Sequence, residues 1–279
     1  MREVILNLFL VTAVTSVCSP CYAQERHLEY SKDGSGVFGY KDTPVQPWSG
    51  YHIHDPDRPV PKKVDPGDSV PSKPPRRPPS DAIVLFGGKD LSMWQPSDWI
   101  VRDGYIEAGE GILTTRQEFG SYQLHLEFRT PERPEPDMMN RGNNGVVLMG
   151  ASEVQIFESY NTKIYPDGQA ASIYSQTPPL VNACRKPGEW QNYDIVFLAP
   201  VFENGKLTQP ARITMLHNGL LVHLNQEIYG TTSHRRLPGG FPAGKSVGPL
   251  CLAGHSSPVR FRNIWIRPLQ RSPGNDSVQ

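Results

Sequence analysis

Two carboxylates and an amide stand close together in residues 153–158, EVQIFE, where they alternate with apolar side chains. A half-buried strand sends alternate side chains to opposite faces, so Glu153 and Gln155 share one face. Strict alternation would send Glu158 to the other face, and one bulge residue before it would return it to the side of Glu153. We therefore predict a sheet face that presents two carboxylates, which could act as base and acid. Because neighbouring carboxylates raise the pKa of at least one partner, one of them would stay protonated.

Each candidate residue also has a structural explanation. The two glutamates could form a solvated face or pair with Arg129, and Gln155 could bond across strands. Arg141 precedes a GNNG turn and could bind sugar hydroxyls or tie its loop to a carboxylate. Tyr174 could stack on a sugar or pack at the rim of a sandwich. His255 lies at the end of a predicted strand, where a loop could face a cleft.

A metal site is one interpretation of His52, His54 and Asp55. Imidazoles two residues apart on an extended chain face the same way, and a nearby carboxylate is common for zinc. No third strong ligand is visible by spacing, and an N-terminal segment docked on the main domain explains the same residues. The sequence therefore leaves a divalent metal as an open alternative and assigns no ligand to one.

The overall composition excludes some classes of function. The 279 residues carry a formal net charge of +0, and no basic stripe indicates nucleic-acid binding. The apolar run near Met1, with CYA at 21–23, predicts a signal peptide cleaved after Ala23 and a secreted or periplasmic protein, with a retained anchor as the alternative. No later stretch is apolar and long enough to span a bilayer. Export would permit a disulfide between Cys184 and Cys251, with two buried thiols as the alternative.

The rest of the chain divides by composition. Residues 24–79 are rich in proline, which predicts an extended segment that cannot pack a core alone. Two aromatic pieces within it, FGYKDTP and WSGYHIHDPDRP, are expected to lie on the main domain, while 61–80 is expected to be mobile. Residues 80–269 contain many short strand patterns and no useful helical periodicity, which predicts an all-β, two-sheet sandwich. Residues 270–279 are expected to be a disordered tail.

Two segments give the clearest strand predictions. SYQLHLEFRT alternates strictly, so that Tyr122, Leu124, Leu126 and Phe128 should share the buried face. ARITMLHNGLLVHL predicts a hairpin, because Asn-Gly supplies the positive φ angles that a tight turn needs.

Several motifs together resemble the 3-keto-disaccharide hydrolase domain family, also described as a 3-keto-glucoside 1,2-lyase/3-keto-2-hydroxyglucal hydratase domain. They are LFGGKDLSMW, YQLHLEFR, RGNNGVVLMG, EVQIFESY, YPDGQAASIY, KPGEWQNYDI and VRFRNIWI, in that order. The resemblance covers about residues 81–269 and implies a concanavalin A-like jelly roll, usually exported, in carbohydrate-degrading bacteria. The family's Asn-Ser-Gly motif is Asn143-Asn144-Gly145 here, and Asn144 therefore joins the expected substrate-binding residues.

The resemblance implies that a 3-keto-glycoside is cleaved by elimination and hydration, on a concave sheet face. Glu153 and Glu158 would be the catalytic pair, and the substrate would be bound by Gln155, Arg141, Asn144, Tyr174 and His255. The strand is also similar to the E-x-D-x-x-E motif of laminarinase-type glycosidases, with Gln155 in place of the Asp. The alternatives are a non-catalytic carbohydrate-binding module, a jelly-roll glycosidase acting on unoxidised glycosides, and a structural or adhesion domain of the cell envelope.

Overall fold

A computed structural model of the chain describes residues 27–68, 71, 74–133 and 136–269. The predicted signal peptide and the predicted C-terminal tail lie outside the described residues. The described chain consists of short strands and loops, with one turn of 3-10 helix at Pro166–Gly168. This architecture confirms the all-β, concanavalin A-like sandwich predicted from the sequence.

The strands are numbered in chain order. They are β1 (Glu29–Tyr30), β2 (Phe38–Gly39), β3 (Lys62–Lys63), β4 (Ile83–Phe86), β5 (Ile100–Arg102), β6 (Tyr105–Glu107), β7 (Gly111–Phe119), β8 (Tyr122–Arg129), β9 (Asn144–Leu148), β10 (Ser152–Ile156), β11 (Val181–Asn182), β12 (Gln191–Leu198), β13 (Val201–Glu203), β14 (Lys206–Gln209), β15 (Ala211–His217), β16 (Leu220–Ile228), β17 (Gly248–Gly254) and β18 (Arg260–Pro268).

Two antiparallel sheets enclose the main core. The larger sheet has the order β16-β15-β12-β8-β18-β6-β5, and β4 also pairs with β18; the smaller sheet has the order β10-β9-β17-β7. Tyr122, Leu124, Leu126 and Phe128 of β8 are all 0% exposed, as their alternation predicts. The core between the sheets leaves the outer face of the smaller sheet available for a site.

The β15–β16 hairpin also forms as predicted. His217 pairs with Leu220, and the two residues between them, Asn218 and Gly219, have φ angles of 52° and 80°. Two consecutive positive φ angles define the tight turn that matches the twist of the flanking strands. The hairpin ends in β16, whose following loop reaches back to the edge of the smaller sheet.

The proline-rich segment packs against the sandwich along much of its described length. Phe38 and Tyr40 enter a small second core with Phe157, Ile164 and Tyr165. Further along, β3 pairs in parallel with β11, so part of the stretch expected to be mobile is hydrogen-bonded to the domain. The segment therefore packs against the loop that follows β10.

The two cysteines in the described chain are free and buried. Burial raises the pKa of the Cys184 thiol to about 12, and it also raises the pKa of Cys251. Both groups therefore remain protonated thiols at neutral pH. Among the described residues, no helix has the length and apolar character needed to cross a membrane.

The outer face of the larger sheet carries a hydrogen-bonded cluster that joins three strands. His125 Nδ1 on β8 lies 2.6 Å from Asp194 Oδ1 on β12. Asn263 on β18 donates to Glu127 Oε1 at 2.9 Å, and His125 Nε2 lies 3.7 Å from the same oxygen. Burial lowers the pKa of His125, but the hydrogen bonds to Asp194 and Glu127 outweigh it and raise the pKa to about 9. The imidazole is therefore charged at neutral pH.

Raising the pH should weaken the fold through His125. Because its folded pKa of about 9 exceeds the ordinary 6.5, the stabilisation is complete below pH 6.5 and is lost as the pH rises through 9. At about 1.4 kcal/mol per pKa unit, the effect is on the order of 3 kcal/mol at most. We expect the free energy of urea unfolding to fall between pH 6.5 and 9.5, and to fall much less in His125→Gln. Equal falls in the two proteins would contradict the assigned charge.

Candidate active site

The floor of the candidate site is the outer face of β10 and β9. Their pairing runs without a register shift from Ser152 to Ile156, so β10 contains no bulge. Glu153 and Gln155 lie on the outer face, and Val154 and Ile156 are buried in the core. Simple alternation then places Phe157 on the outer side. The prediction that a bulge brings Glu158 beside Glu153 is therefore wrong.

Glu158 instead organises the loop that follows β10. Its carboxylate accepts hydrogen bonds from the Asn161 backbone N–H at 2.8 Å and from the Thr162 hydroxyl at 2.9 Å. Its own backbone N–H donates to the Arg141 carbonyl at 2.8 Å. The strand ends at Ile156, so the chain turns and a carboxylate can satisfy backbone donors locally. Glu158 is 2% exposed and does not line the cavity above the sheet.

A cavity of about 380 Å³ lies on this outer face. Residues from four loops and from β10 surround it, and they combine aromatic, amide, hydroxyl and imidazole groups. The lining residues are Met139, Asn143, Glu153, Gln155, Phe157, Ile164, Tyr165, Tyr174, Thr232, Ser233, His234 and His255. Such a mixture of ring faces and hydrogen-bonding groups suits a sugar.

Among the described residues that line this cavity, Glu153 is the one that carries a carboxylate. Burial raises its pKa to about 7, and no charge or hydrogen bond within the described chain opposes the shift. The carboxylate lies directly over Gly145, where an added Cβ would be 2.0 Å from Glu153 Oε1. Glycine at this position therefore makes room for the carboxyl group, which exists in both protonation states near neutral pH.

Two tyrosines and a histidine form a hydrogen-bonded wall. Tyr174 Oη lies 2.8 Å from His234 Nδ1 and 3.2 Å from Tyr165 Oη. Burial raises the pKa of both phenols, so they remain protonated donors. Tyr174 was expected from the sequence, whereas His234 was missed. Thr232, two residues before it, donates its backbone N–H to the Ala151 carbonyl, just before β10, and its hydroxyl accepts the Glu153 N–H. No pattern in the sequence predicts this contact.

The asparagine that faces the cavity is Asn143, not Asn144. Gln155 Nε2 donates to Asn143 Oδ1 at 3.1 Å, so these two amides lie side by side on the outer face. Asn144 is 0% exposed and donates to the Ser257 carbonyl at 3.1 Å. Alternation explains the difference, because Asn143 and Gly145 share one face and Asn144 takes the other. The prediction that Asn144 faces the site is therefore wrong, and Asn143 lines the cavity in its place.

The structure separates the two remaining candidates. Arg141 does not line the cavity, and its carbonyl helps to hold the Glu158 loop. The interpretation of Arg141 as a loop residue therefore fits better than the interpretation as a sugar ligand. His255 does line the cavity, beyond the end of β17. Desolvation lowers its pKa, so its imidazole is neutral at pH 7.

The proline-rich segment supports the aromatic wall from behind. Asp167 Oδ1 lies 3.1 Å from His54 Nδ1, and Asp167 Oδ2 accepts the His54 backbone N–H at 3.1 Å. Gln46 Nε2 also donates to Oδ2 at 3.2 Å. The His54 ring stacks 4.0 Å from the Tyr165 ring and 5.1 Å from that of His234. A buried polar network thus fixes the wall to a segment more than 100 residues earlier in the sequence.

The same network accounts for the histidines that suggested a metal site. His54 pairs with Asp167, and the His52 Nδ1 contacts the Thr43 carbonyl. Within the ranges that the structure describes, no group of three or more His, Cys, Asp or Glu side chains is arranged to hold a metal ion. The interpretation of these residues as parts of a docked segment therefore fits the geometry.

Breaking the His54–Asp167 pair should strongly destabilise the protein. Burial alone would raise the pKa of Asp167. The charge and hydrogen bonds of His54, with the charge of Arg58, outweigh burial and lower this pKa below its ordinary value of 3.8. The stabilisation is therefore present above pH 3.8 and is lost as the pH falls through the lower folded value. Asp167→Asn should lose about 3–5 kcal/mol in urea unfolding at pH 7, because it leaves a buried partner uncompensated. The difference from wild type should shrink at pH 3.

Asp98→Asn provides the matched control, because Asp98 is exposed. It should change the unfolding free energy by less than about 0.5 kcal/mol. Equal effects of the two substitutions would show that the buried pair does not stabilise the docked segment.

Comparison with known proteins agrees with this architecture. Residues 81–267 match the 3-keto-alpha-glucoside-1,2-lyase-like domain. A solved structure from Parabacteroides distasonis ATCC 8503, provisionally named a glycosyl hydrolase, is 36% identical with a TM-score of 0.67, over 81% of this chain and 100% of that chain. Another from the same organism, named in the same way, is 23% identical with a TM-score of 0.50, over 67% and 99%. No curated protein matches the chain.

The match over residues 81–267 and the 36% identical structure define the chain as a glycosyl-hydrolase-like jelly-roll domain. The chain belongs to the family of 3-keto-alpha-glucoside-1,2-lyase-like domains, as the order of its sequence motifs predicted.

Proposed function

We propose that the protein is an enzyme that cleaves 3-keto-glycosides by elimination and hydration in the cavity above β10. The observation that carries the proposal is the Glu153 carboxyl group, which is desolvated, has a pKa of about 7 and lies in a sugar-sized cavity. A group whose pKa is close to the operating pH can both accept and return a proton. Membership of the 3-keto-alpha-glucoside-1,2-lyase-like family supports the choice of substrate.

The first step uses the acidity that a carbonyl at C3 gives to the proton on C2. The Glu153 carboxylate takes that proton, the C2 electron pair forms the C1=C2 bond, and the C1–O bond breaks. The proton passes from Glu153 to the departing oxygen, so an alcohol and a 3-keto-2-hydroxyglucal result. This route forms no oxocarbenium ion that a second carboxylate would have to stabilise. The position of Glu158 outside the cavity is therefore compatible with it.

The second step adds water across the new double bond. Water attacks C1 of the enone, the electron pair returns through C2, and Glu153 transfers a proton from that water to C2. The product is the free 3-keto sugar, so the two steps together are a net hydrolysis. One carboxyl group that exchanges its proton can serve both steps.

Hydrogen-bonding groups around Glu153 can bind and polarise the substrate. The Tyr174 hydroxyl and the His234 ring lie on one wall and can donate to the C3 oxygen, where negative charge develops. The paired amides of Asn143 and Gln155 can hold sugar hydroxyls. His255 and Thr232 line the site together with Glu153 and can bind the departing oxygen.

Export belongs to the same proposal. The apolar run after Met1 and the small residues before Gln24 support secretion or a periplasmic location. Cell fractionation of the native producer, with the mature N-terminus read by mass spectrometry, tests this part. An N-terminus at Gln24 in the exported fraction is expected, and an uncleaved cytosolic chain would contradict it.

Substrate discrimination tests the proposed reaction. The purified protein is incubated with 3-keto-glucosides and with their unoxidised parents, with and without chelator, and products are followed by NMR. We expect only the 3-keto compounds to be consumed. Cleavage of the unoxidised parents would instead indicate an ordinary glycosidase. Binding of both sets without turnover would indicate a carbohydrate-binding module.

A further inference from the structure

A second cavity, of about 490 Å³, adjoins the first on the smaller sheet. Glu153, Thr232 and His255 line both cavities, so the two are compartments of one groove. Glu153 and His255 are the titratable residues that the linings share. Any ligand that spans the groove therefore places its middle beside the proposed catalytic carboxyl group.

The register of the smaller sheet gives this groove a flat floor. Gln155 pairs with Gly145, Gly145 pairs with Ala253, and Ala253 pairs with Ile112. Directly paired residues share a face, so these four form a row across all four strands. The two central positions carry no side chain or only a methyl group, which lets a ligand approach the sheet closely.

The two compartments differ in chemistry. The first is lined by amide, phenol and imidazole groups, as described above. Beyond the shared residues, the second is lined by Ile112, Val147, Ala151, Ala253 and glycines, with Glu110 at its charged end. Ile112 is 63% exposed and Val147 is half-buried, so apolar surface faces the groove.

This contrast decides which part of a glycoside fits each compartment. A sugar in the second compartment would bury hydroxyl groups against side chains that offer them few partners, which is unfavourable. An apolar group there would cover the exposed Ile112 and Val147 side chains and remove both surfaces from water. The wide floor of small residues favours a flat group.

We propose that the second compartment binds the leaving group and that this group is a flat, apolar aglycone rather than a second sugar. The sugar ring then occupies the first compartment, and the C1–O bond lies beside Glu153, Thr232 and His255. The assignment of the reaction rests on the proposed function above. The preference for an apolar aglycone is a property of binding and can be measured without turnover.

Binding to Glu153→Gln, which should not consume its ligands, tests this inference. Isothermal calorimetry compares three 3-keto-glucosides and their unoxidised parents, with methyl, 2-phenylethyl and glucosyl aglycones. We expect the 2-phenylethyl compounds to bind at least 10-fold more tightly than the methyl compounds, and the glucosyl compounds to show no such gain. Ile112→Ser should reduce the 2-phenylethyl to methyl affinity ratio about fivefold. Val84→Ser, at an exposed valine of the other sheet, should leave this ratio unchanged.

These measurements test the apolar leaving-group compartment separately from the proposed reaction. Tighter binding of the glucosyl compounds, or a ratio that is unchanged in Ile112→Ser, would overturn the apolar leaving-group compartment. Wild-type turnover of the methyl 3-keto-glucoside is measured in parallel. If that turnover is absent while the aglycone preference and its loss in Ile112→Ser persist, the proposed reaction fails and the compartment stands.

Discussion

Glu153→Gln should abolish most turnover of 3-keto-glucosides while leaving the fold intact. The amide has nearly the same shape as the carboxyl group but cannot accept the C2 proton. Loss of a positioned base typically lowers the rate about 10²–10⁴-fold, and we expect a fall in kcat of that size with little change in KM. The wild-type kcat/KM should rise with pH through about 7, the pKa of this group. Steady-state kinetics from pH 5 to 9 measure both effects.

Two comparisons separate chemistry from folding in this experiment. Glu158→Gln removes a carboxylate that holds its own loop, so it should reduce stability by about 1–3 kcal/mol and keep kcat within a few-fold of wild type. Glu153→Gln should be more stable than wild type at pH 8, because ionising a desolvated carboxyl group opposes folding. The shift from 4.5 to about 7 corresponds to at most about 3 kcal/mol. A larger loss of kcat in Glu158→Gln than in Glu153→Gln would contradict the assignment.

Gly145→Ala should disable the site although it removes no functional group. The new Cβ would lie 2.0 Å from Glu153 Oε1 and 2.6 Å from Cδ, so the carboxyl group must move. The obstructing atoms belong to a flexible side chain, and Gly145 does not have a positive φ, so the backbone should not be strained. A displacement of about 1 Å can cost 10²-fold in rate, and we expect a loss of that order in kcat/KM.

Gly87→Ala is the matched control for Gly145→Ala. Gly87 also lacks a positive φ, and its added Cβ would meet Val84 Cγ1 at an ordinary 3.4 Å. Both variants should retain the wild-type circular dichroism spectrum and should unfold cooperatively in urea. Near-wild-type kcat/KM in Gly145→Ala would show that the carboxyl position above Gly145 is not the reactive one.

The parts of the fold that could be predicted depend on local patterns. A few neighbouring residues are enough to predict the buried face of Tyr122 to Phe128, which alternates strictly. The same is true of the tight turn at Asn218 and Gly219. Alternation also placed Glu153 and Gln155 correctly on one face. The prediction for Glu158 was wrong because the same residues fit both a bulged strand that continues through Glu158 and a strand that ends at Ile156. Only the hydrogen bonds of the following loop decide between them.

The remaining parts of the site depend on contacts between distant segments. His234 lines the cavity because its loop is hydrogen-bonded to β10. His54 supports the aromatic wall because its ring is hydrogen-bonded to Asp167. Neither contact has a sequence period or a short motif that could reveal it. The wrong choice between Asn144 and Asn143 has a different cause. Which asparagine faces the cavity depends on where β9 begins, and strand ends are hard to place from sequence.

Solvent deuterium at C2 tests the central claim that Glu153 moves the proton of a 3-keto sugar. A 3-keto-glucoside is incubated in D2O with wild type, with Glu153→Gln and without protein, and NMR follows deuterium at C2 of substrate and product. We expect a wild-type product with deuterium at C2, formed far faster than background exchange, and we expect Glu153→Gln to lose both this incorporation and turnover. A product that retains hydrogen at C2, or equal incorporation by Glu153→Gln, would contradict it.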